Sequence, residues 1–500
     1  MNDPACRVLL ALCSLPACYS PNETLTTGQA GDGTEGVSEG AVDSSTQGVD
    51  TSAGLDSVSE STSSGQADGT SGTLETSDTE STTTSATGPA CGDGTVDVAE
   101  ACDDGVNDGA YGGCLPGCVG LAPRCGDAVV QPVESCDDGN GVDADGCNVD
   151  CVVSGSERWT ETYSGAGSYG LDANAVAAGP GDDVYVAGSE VVAGGSQAWL
   201  RRLDLDGNGV WEETYFDNEA SATVAHGLDV DAAGVAYFGG LADYGGNLGA
   251  HGWLRAHDDA AALVFSHDAG PEVFDVGVSE DGNAALVASS VALFGFPGEP
   301  RGPLLTRRLA ALGDTLWSEE LDPLPAVEPY AQRLAVDSNE GIVVVANFRA
   351  EGTPQAWLRK FTANGTVVWT ETMDASGHQE RTWLGVACGP DDEVVVVGTV
   401  DDEMWMRLFD EDGVEQWTVT DASPGGVAFV NAAIDDDGNI VVAADEGDVG
   451  TVRKLSSIGV ELWSTTIPDF TPTDVAIDSQ QNILVSGNGD GDGWVRKLAP

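Results

Sequence analysis

From residue 158 to residue 500 the chain alternates short apolar runs with tight polar punctuation, a rhythm too brief for helices. One stretch shows the grammar: an apolar run at 384–387, the turn Gly389-Pro390-Asp391-Asp392, the run 394–397 of four valines, the stretch 405–409, the turn Asp410-Glu411-Asp412-Gly413, and then 416–419. Runs rich in β-branched residues, bounded by Asp, Gly, Asn and Pro, read as strands. The last of the four alternates polar with apolar positions, the mark of a half-exposed strand.

This four-strand grammar repeats. Trp159, Trp211, Phe265, Trp317, Trp369, Trp417 and Trp463 are spaced by 52, 54, 52, 52, 48 and 46 residues. A second series precedes the next member of the first: Trp199-Leu200-Arg201, Trp253-Leu254-Arg255, Leu305-Thr306-Arg307, Trp357-Leu358-Arg359, Trp405-Met406-Arg407, Thr451-Val452-Arg453 and Trp494-Val495-Arg496. Four strands recurring at this period describe a propeller blade, so 158–500 is expected to be an all-β, seven-bladed β-propeller. The ends of the repeat argue for closure. The chain finishes just after Trp494-Val495-Arg496 without its outer Trp strand, whereas Arg158-Trp159-Thr160-Glu161-Thr162-Tyr163 is an outer strand without a blade. Lending the first strand to the last blade completes it and removes an exposed edge.

Residues that recur once per blade are expected to serve the blade. Arg201, Arg255, Arg307, Arg359, Arg407, Arg453 and Arg496 are therefore read as structural, each paired with a carboxylate of a blade turn. Trp199, Trp253, Trp357, Trp405 and Trp494 are read as blade packing rather than sugar-stacking platforms. Trp383 belongs to neither series and is the better candidate for a binding surface. The pattern D-x-x-G-N-[IV]-[VY]-[VL] before W-[LV]-x-[KR]-[LF], as in Asp435-Asp436-Asp437-Gly438-Asn439-Ile440-Val441-Val442, resembles bacterial seven-bladed propeller repeats; Phe265 and Leu305 depart from it.

The first 151 residues are written differently. Arg7 precedes the apolar run Val8-Leu9-Leu10-Ala11-Leu12-Cys13-Ser14-Leu15, which is too short to span a bilayer but has the length of a signal-peptide core. Leu15-Pro16-Ala17-Cys18 resembles the bacterial lipobox, which implies a signal over 1–18 and lipidation of Cys18. Tyr19 rather than Asp follows, and the same resemblance then implies the outer membrane or cell surface, with secretion as the alternative. Residues 22–89 contain 28 Ser or Thr and 12 acidic residues in 68, without Cys, Lys, Arg or aromatic side chains. Such a segment buries too little to offset its conformational entropy, so 19–90 is expected to be a disordered tether with a mean reach of roughly 45 Å.

Eight cysteines fall between 91 and 151 as two like sets: Cys91, Cys102, Cys114 and Cys118, then Cys125, Cys136, Cys147 and Cys151. Behind an export signal this reads as a disulfide framework in two units, 91–118 and 125–151, and four cysteines per unit leave three pairings open. Zinc is disfavoured because each unit has only one tightly spaced pair. The block CGD…E-x-CDDG…DGC-x3-C resembles the Cys-rich repeat of myxobacterial surface proteins, which implies an extracellular spacer or binding module without known catalysis.

Composition then narrows the partners. Asp and Glu number 83 against 19 Lys and Arg, a net charge of −64, and every segment after residue 18 is acidic. Nucleic acid is excluded as a partner, since phosphate binding needs clustered cations. Membrane contact is expected only through a lipid anchor, and the protein is expected to be a monomer. No cofactor is predicted. Ca²⁺ is the one ion to weigh, with Asp143 and Asp145, Asp204, Asp206 and Asn208, and Asp490 and Asp492 as candidates, although both propeller loops lack the closing Glu. No residue stands out as catalytic. His226, Arg333 and Arg381 lie near blade starts, where inner strands belong, while His251 and His257 bracket the Trp253 strand without a metal-binding motif. Cys388 is expected to be a buried free thiol. The reading is a non-enzymatic binding or adhesion protein whose ligand is a protein or polysaccharide. The alternative is an exported enzyme, such as a polysaccharide lyase or hydrolase, with its site at the central mouth.

Overall fold

Twenty-eight strands of a computed structural model arrange the second part of the chain as seven four-stranded antiparallel blades, the first two linked by a single parallel bridge between Ser196 and Ala222. The structure describes residues 91–500 except 165–169, 246–249, 271, 280–281, 290–303, 310–312, 322–329, 351–352, 374–380, 401–402, 422–427 and 447–448. The segments expected to be signal (1–18, with Cys18) and tether (19–90) lie outside the described residues. Blades one to six occupy 171–215, 222–270, 272–321, 330–373, 381–421 and 428–468. Each inner strand packs against the inner strand of the next blade, and the last against the first, so the ring closes around a central shaft.

Blade seven holds three strands from the C-terminus, Thr471–Ile477, Ile483–Gly489 and Asp492–Leu498. Its outer strand is Glu157–Tyr163, paired antiparallel from Glu157 opposite Leu498 to Tyr163 opposite Gly493. The ends of the domain are thus hydrogen-bonded into one sheet, as the missing Trp strand implied.

Within a blade, the second strand is apolar at successive positions because both of its faces are covered by neighbouring blades. Val394, Val395, Val396 and Val397 are all fully buried, as are Ile342, Val343, Val344 and Val345. Outer strands bury only one face. The outer aromatics reach across to the next blade: the indole N–H groups of Trp159, Trp211, Trp317, Trp369 and Trp417 donate to the backbone carbonyls of Leu205, Asp259, Ala363, Glu411 and Ser457. Each of these carbonyls lies in the turn between the third and outer strands of the next blade. That turn needs glycine for two reasons, shown by Gly413: φ is +80°, and a Cβ there would sit 2.7 Å from the Trp369 ring. Trp463 has no intact turn to meet, because the chain is split at blade seven, and it packs against Gly155 instead. Gly155 N–H donates to Ala499 O and Ala499 N–H to Ser156 O, which rebuilds the turn from two distant segments. Without the turn carbonyl, the Trp463 indole N–H is left without a partner.

Among the described arginines, Arg453 meets a turn carboxylate as expected, and the others pair differently. Arg201 binds Glu212 at 2.8 Å, Arg407 binds Glu415 at 2.9 Å and Arg496 binds Glu157 at 3.1 Å, each acid lying on the outer strand and none in a blade turn. Arg453 reaches Glu446, in the turn between the second and third strands of blade six, and Glu461 on the outer strand, and Arg359 the hydroxyl of Thr370. The guanidinium groups of Arg359, Arg407 and Arg496 also lie over the rings of Trp357, Trp405 and Trp494, and that of Arg255 lies over Tyr215. The side chain of Arg307 lies outside the described residues. The turn carboxylates bind the residue that follows the arginine: Lys360 to Asp337 at 2.8 Å, Lys454 to Asp435 at 3.0 Å and Lys497 to Asp478 at 2.7 Å, all six side chains buried. The physical reason is the strand period. Successive side chains point to opposite faces, so arginine and lysine, one position apart, meet different partners.

The cysteine module resolves the three-way choice of pairings. Cys91–Cys118 encloses Cys102–Cys114, and Cys125–Cys151 encloses Cys136–Cys147. Between the bridges, carboxylates hold the loops: Asp103 accepts N–H bonds from Gly92, Asp93 and Gly105, and Asp104 from Val106, Asn107 and Cys114. Asp150 binds Arg158 at 2.7 Å, tying the module to the closing strand. Because Glu157 pairs with Leu498, the module joins the ring at the face carrying the turns between third and outer strands.

Candidate functional site

An inner strand presents one unpaired edge to the shaft, so its N–H and C=O groups need partners from elsewhere. In all seven blades the inner strand also carries one extra residue relative to its neighbour, at Asn174, His226, Phe274, Ala331, Leu384, Val430 and Thr473. A bulge of this kind turns the strand locally and re-aims the side chains around it.

Most polar side chains near the shaft use that freedom to cap the edge of the next blade. Asp229 Oδ2 accepts the Val278 N–H at 2.7 Å, Asp275 Oδ2 accepts the Leu334 N–H at 2.9 Å, and Asp474 Oδ2 accepts the Val176 N–H at 3.1 Å. Asn431 Nδ2 donates to Asp474 Oδ1 at 2.6 Å, Asn174 Nδ2 to Ala225 O at 2.8 Å, and Arg333 Nη1 to Phe274 O at 3.3 Å. Every one of these bonds crosses between blades. Their first role is to stitch the ring along its axis.

Two groups stand apart from the stitching. His226 Nε2 lies 3.5 Å from Glu272 Oε1, across the junction of blades two and three. Glu272 is the first residue of its inner strand, so it stands toward the mouth of the shaft away from the cysteine module. The close approach of the two strands depends on Gly227, where a Cβ would fall 2.7 Å from Cα of Asp275. The Phe274 ring lies alongside, 6.5 Å from the imidazole centroid.

Surrounded by protein on most sides, these groups titrate far from their ordinary values. Burial, with the Arg333 charge added, holds His226 down to about 4, so the imidazole is neutral. Burial alone lifts Glu272 to about 7. Burial likewise raises Asp229 to about 7, against the two N–H bonds that favour its charge, and Asp275 to about 6, where Arg333 opposes the shift. Asp474 is raised for the same reason.

A pH dependence of stability follows from these shifts. An acid raised in the folded state contributes stability at low pH, and loses it as pH climbs through its folded value. Asp229 and Glu272 therefore make the propeller more stable at pH 6.5 than at pH 8, each by at most about 1.4 kcal/mol for a tenfold change in proton concentration. Below pH 6 the depressed His226 opposes the trend. Melting temperatures in 0.5 M salt, which screens the acidic surface, are expected to rise from pH 8 to pH 6.5. Asp229→Asn should raise the pH 8 value and flatten the slope. A melting temperature that climbs from pH 6.5 to pH 8 contradicts the assignment.

The other expected positions fall outside this cluster. Arg381 and Trp383 belong to the inner strand of blade five, with side chains outside the described residues. His257 is buried, with Nδ1 3.1 Å from Ala261 O, and His251 is exposed on the same strand. Cys388 is a free thiol, half-buried against the core of blades four and five, and burial pushes it well above the ordinary thiol range. Of the Ca²⁺ candidates, Asp204 Oδ1 accepts the N–H groups of Asp206 and Asn208 as the cap of a turn. Asp143 Oδ1 accepts the Val149 N–H, and Asp145 Oδ2 accepts Asn140 Nδ2. Asp490 and Asp492 flank the hairpin turn into the last strand. Two groups in the cysteine module place Glu100 beside Cys91 and Cys118, and Glu134 and Asp137 beside Cys151, but these sulfurs are in disulfides.

The class defined by the closed ring is a seven-bladed β-propeller. No family model matches the chain, and no curated protein matches it. Among solved structures it is similar to the Dos1 propeller, at 11% identity and a TM-score of 0.42, over 68% of this chain and 96% of that one. It is similar to Sqt1 from Chaetomium thermophilum, at 11% identity and a TM-score of 0.43, over 68% and 100% of the two chains. A luciferin-regenerating enzyme matches at 13% identity and a TM-score of 0.37, over 55% and 91%. These likenesses concern the fold, and the seven-bladed assignment rests on the strand pairing itself.

Proposed function

We propose that the chain is an exported binding protein, lipidated at Cys18, which displays its propeller at the cell surface on the tether 19–90. The observation that carries this reading is the use of the shaft: Asp229, Asp275, Asp474, Asn174 and Asn431 are all committed to neighbouring blades, leaving a stitched scaffold. The cysteine module at one face leaves the opposite mouth for a protein or polysaccharide ligand. Membrane contact is through the lipid alone.

Substituting Cys18→Ser tests the display. The wild-type chain is expected in the outer-membrane fraction and degradable by protease added to intact cells, and the variant is expected in the medium or periplasm. Equal fractionation of the two chains would overturn the anchor. A second reading, an exported enzyme with its site at the same mouth, is favoured by one observation, the neutral His226 held beside Glu272. Its sign is turnover that is lost in His226→Gln.

A further inference from the structure

Among the described residues, His226 and Arg333 are shaft groups that keep unused hydrogen-bonding capacity. Nε2 of His226 is buried 3.5 Å from Glu272 Oε1 without a hydrogen bond of its own, and no hydrogen bond of Nδ1 is found among the described residues. When Glu272 accepts the Nε2 proton, the lone pair of Nδ1 becomes a fixed acceptor. Arg333 spends one nitrogen on Phe274 O, and no carboxylate among the described residues lies within ion-pair distance of it.

We propose that the shaft wall of blades two to four binds a hydroxylated carboxylate of the uronate class, its carboxylate on Arg333 and a hydroxyl on Nδ1 of His226. A guanidinium is matched to a carboxylate by shape as well as charge. A neutral imidazole acceptor calls for a ligand that donates, which a hydroxyl does and a second carboxylate does not. Phe274, whose ring lies 6.5 Å from the imidazole of His226 and whose carbonyl accepts from Arg333, offers an apolar surface to the C–H face of a sugar ring. The surrounding field selects the size of the charge. Asp229, Asp275 and Asp474 stand around the same shaft and repel anions, so the ligand's one carboxylate must sit on Arg333 itself and a polyphosphate is excluded.

The inference rests on the propeller being a ligand-binding module, and its test does not depend on display at the surface. Isothermal titration of D-galacturonate into the full chain at pH 8, with D-galactose as the neutral control, reads the site directly. Galacturonate is expected to bind at least about tenfold more tightly than galactose, the worth of one charged hydrogen-bonded contact. Arg333→Met should erase that preference. His226→Gln should weaken both sugars while the preference for the acid persists, so that one variant reports if the other fails to fold. Equal affinity for the two sugars, no measurable heat with either, or a preference unchanged in Arg333→Met overturns the proposal.

Discussion

Removing 157–163 from the otherwise intact chain is expected to lower the melting temperature of the propeller by 10 °C or more, on the scale of a ~5–8 kcal/mol loss. The strand supplies the whole hydrogen-bonded partner of Asp492–Leu498 and closes the ring. It also carries Tyr163, packed 5.5 Å from the fully buried Trp199 of blade one, and Trp159, whose indole bonds into the blade-one turn. Arg496 and Asp150 lose their partners, Glu157 and Arg158, at the same time. Since the deleted strand is an edge strand, a synthetic peptide of residues 156–164 should restore part of the loss by pairing in its place. Differential scanning fluorimetry with and without the peptide checks both statements. An unchanged melting temperature would mean that the ring does not depend on this closure.

The second large effect is expected at Lys454. Its ammonium group lies 3.0 Å from Asp435, with both side chains about 2% exposed. Lys454→Met keeps the length of the side chain but strands a buried carboxylate, a change that costs about 3–5 kcal/mol and a fall of roughly 5–10 °C. Asp435 Oδ1 still accepts the N–H groups of Asp437 and Asn439, so the turn itself survives. The paired replacement Lys454→Met with Asp435→Asn is therefore expected to cost less than the sum of the single changes, which a double-mutant cycle measures. A loss below about 1 kcal/mol in the single variant would show that the carboxylate finds water or a proton at little cost.

How much of this was legible in the sequence depends on how far each contact reaches. The blades could be read because their strands are local: a turn such as Asp435-Asp436-Asp437-Gly438 and the apolar run that follows it lie within one unit, and the tryptophans mark the period. The closure could be read because a missing outer strand at one end matched a surplus one at the other. The disulfides could be counted but not paired, since equal spacing permits every connectivity. Apart from Arg453, the arginine partners were misplaced because pattern alone does not say which face of a strand meets which neighbour. Least legible was the shaft. Asp474 caps Val176 from 298 residues away, and His226 meets Glu272 only because two blades bring their inner strands together at Gly227. His226 and Arg333 were visible as residues outside the repeat, but Glu272 carried no signal, because a single acid in so acidic a chain does not stand out.

The functional account turns on the state of one side chain, the imidazole of His226. Nitrogen-15 NMR of histidine-labelled full-length protein, assigned with His226→Gln, reads its protonation directly. The account predicts that at pH 8 the proton sits on Nε2, that Nδ1 is bare, and that the ring stays uncharged down to about pH 5. An imidazole that gains its second proton near the ordinary histidine value of about 6.5, or that carries its proton on Nδ1 at pH 8, would contradict it.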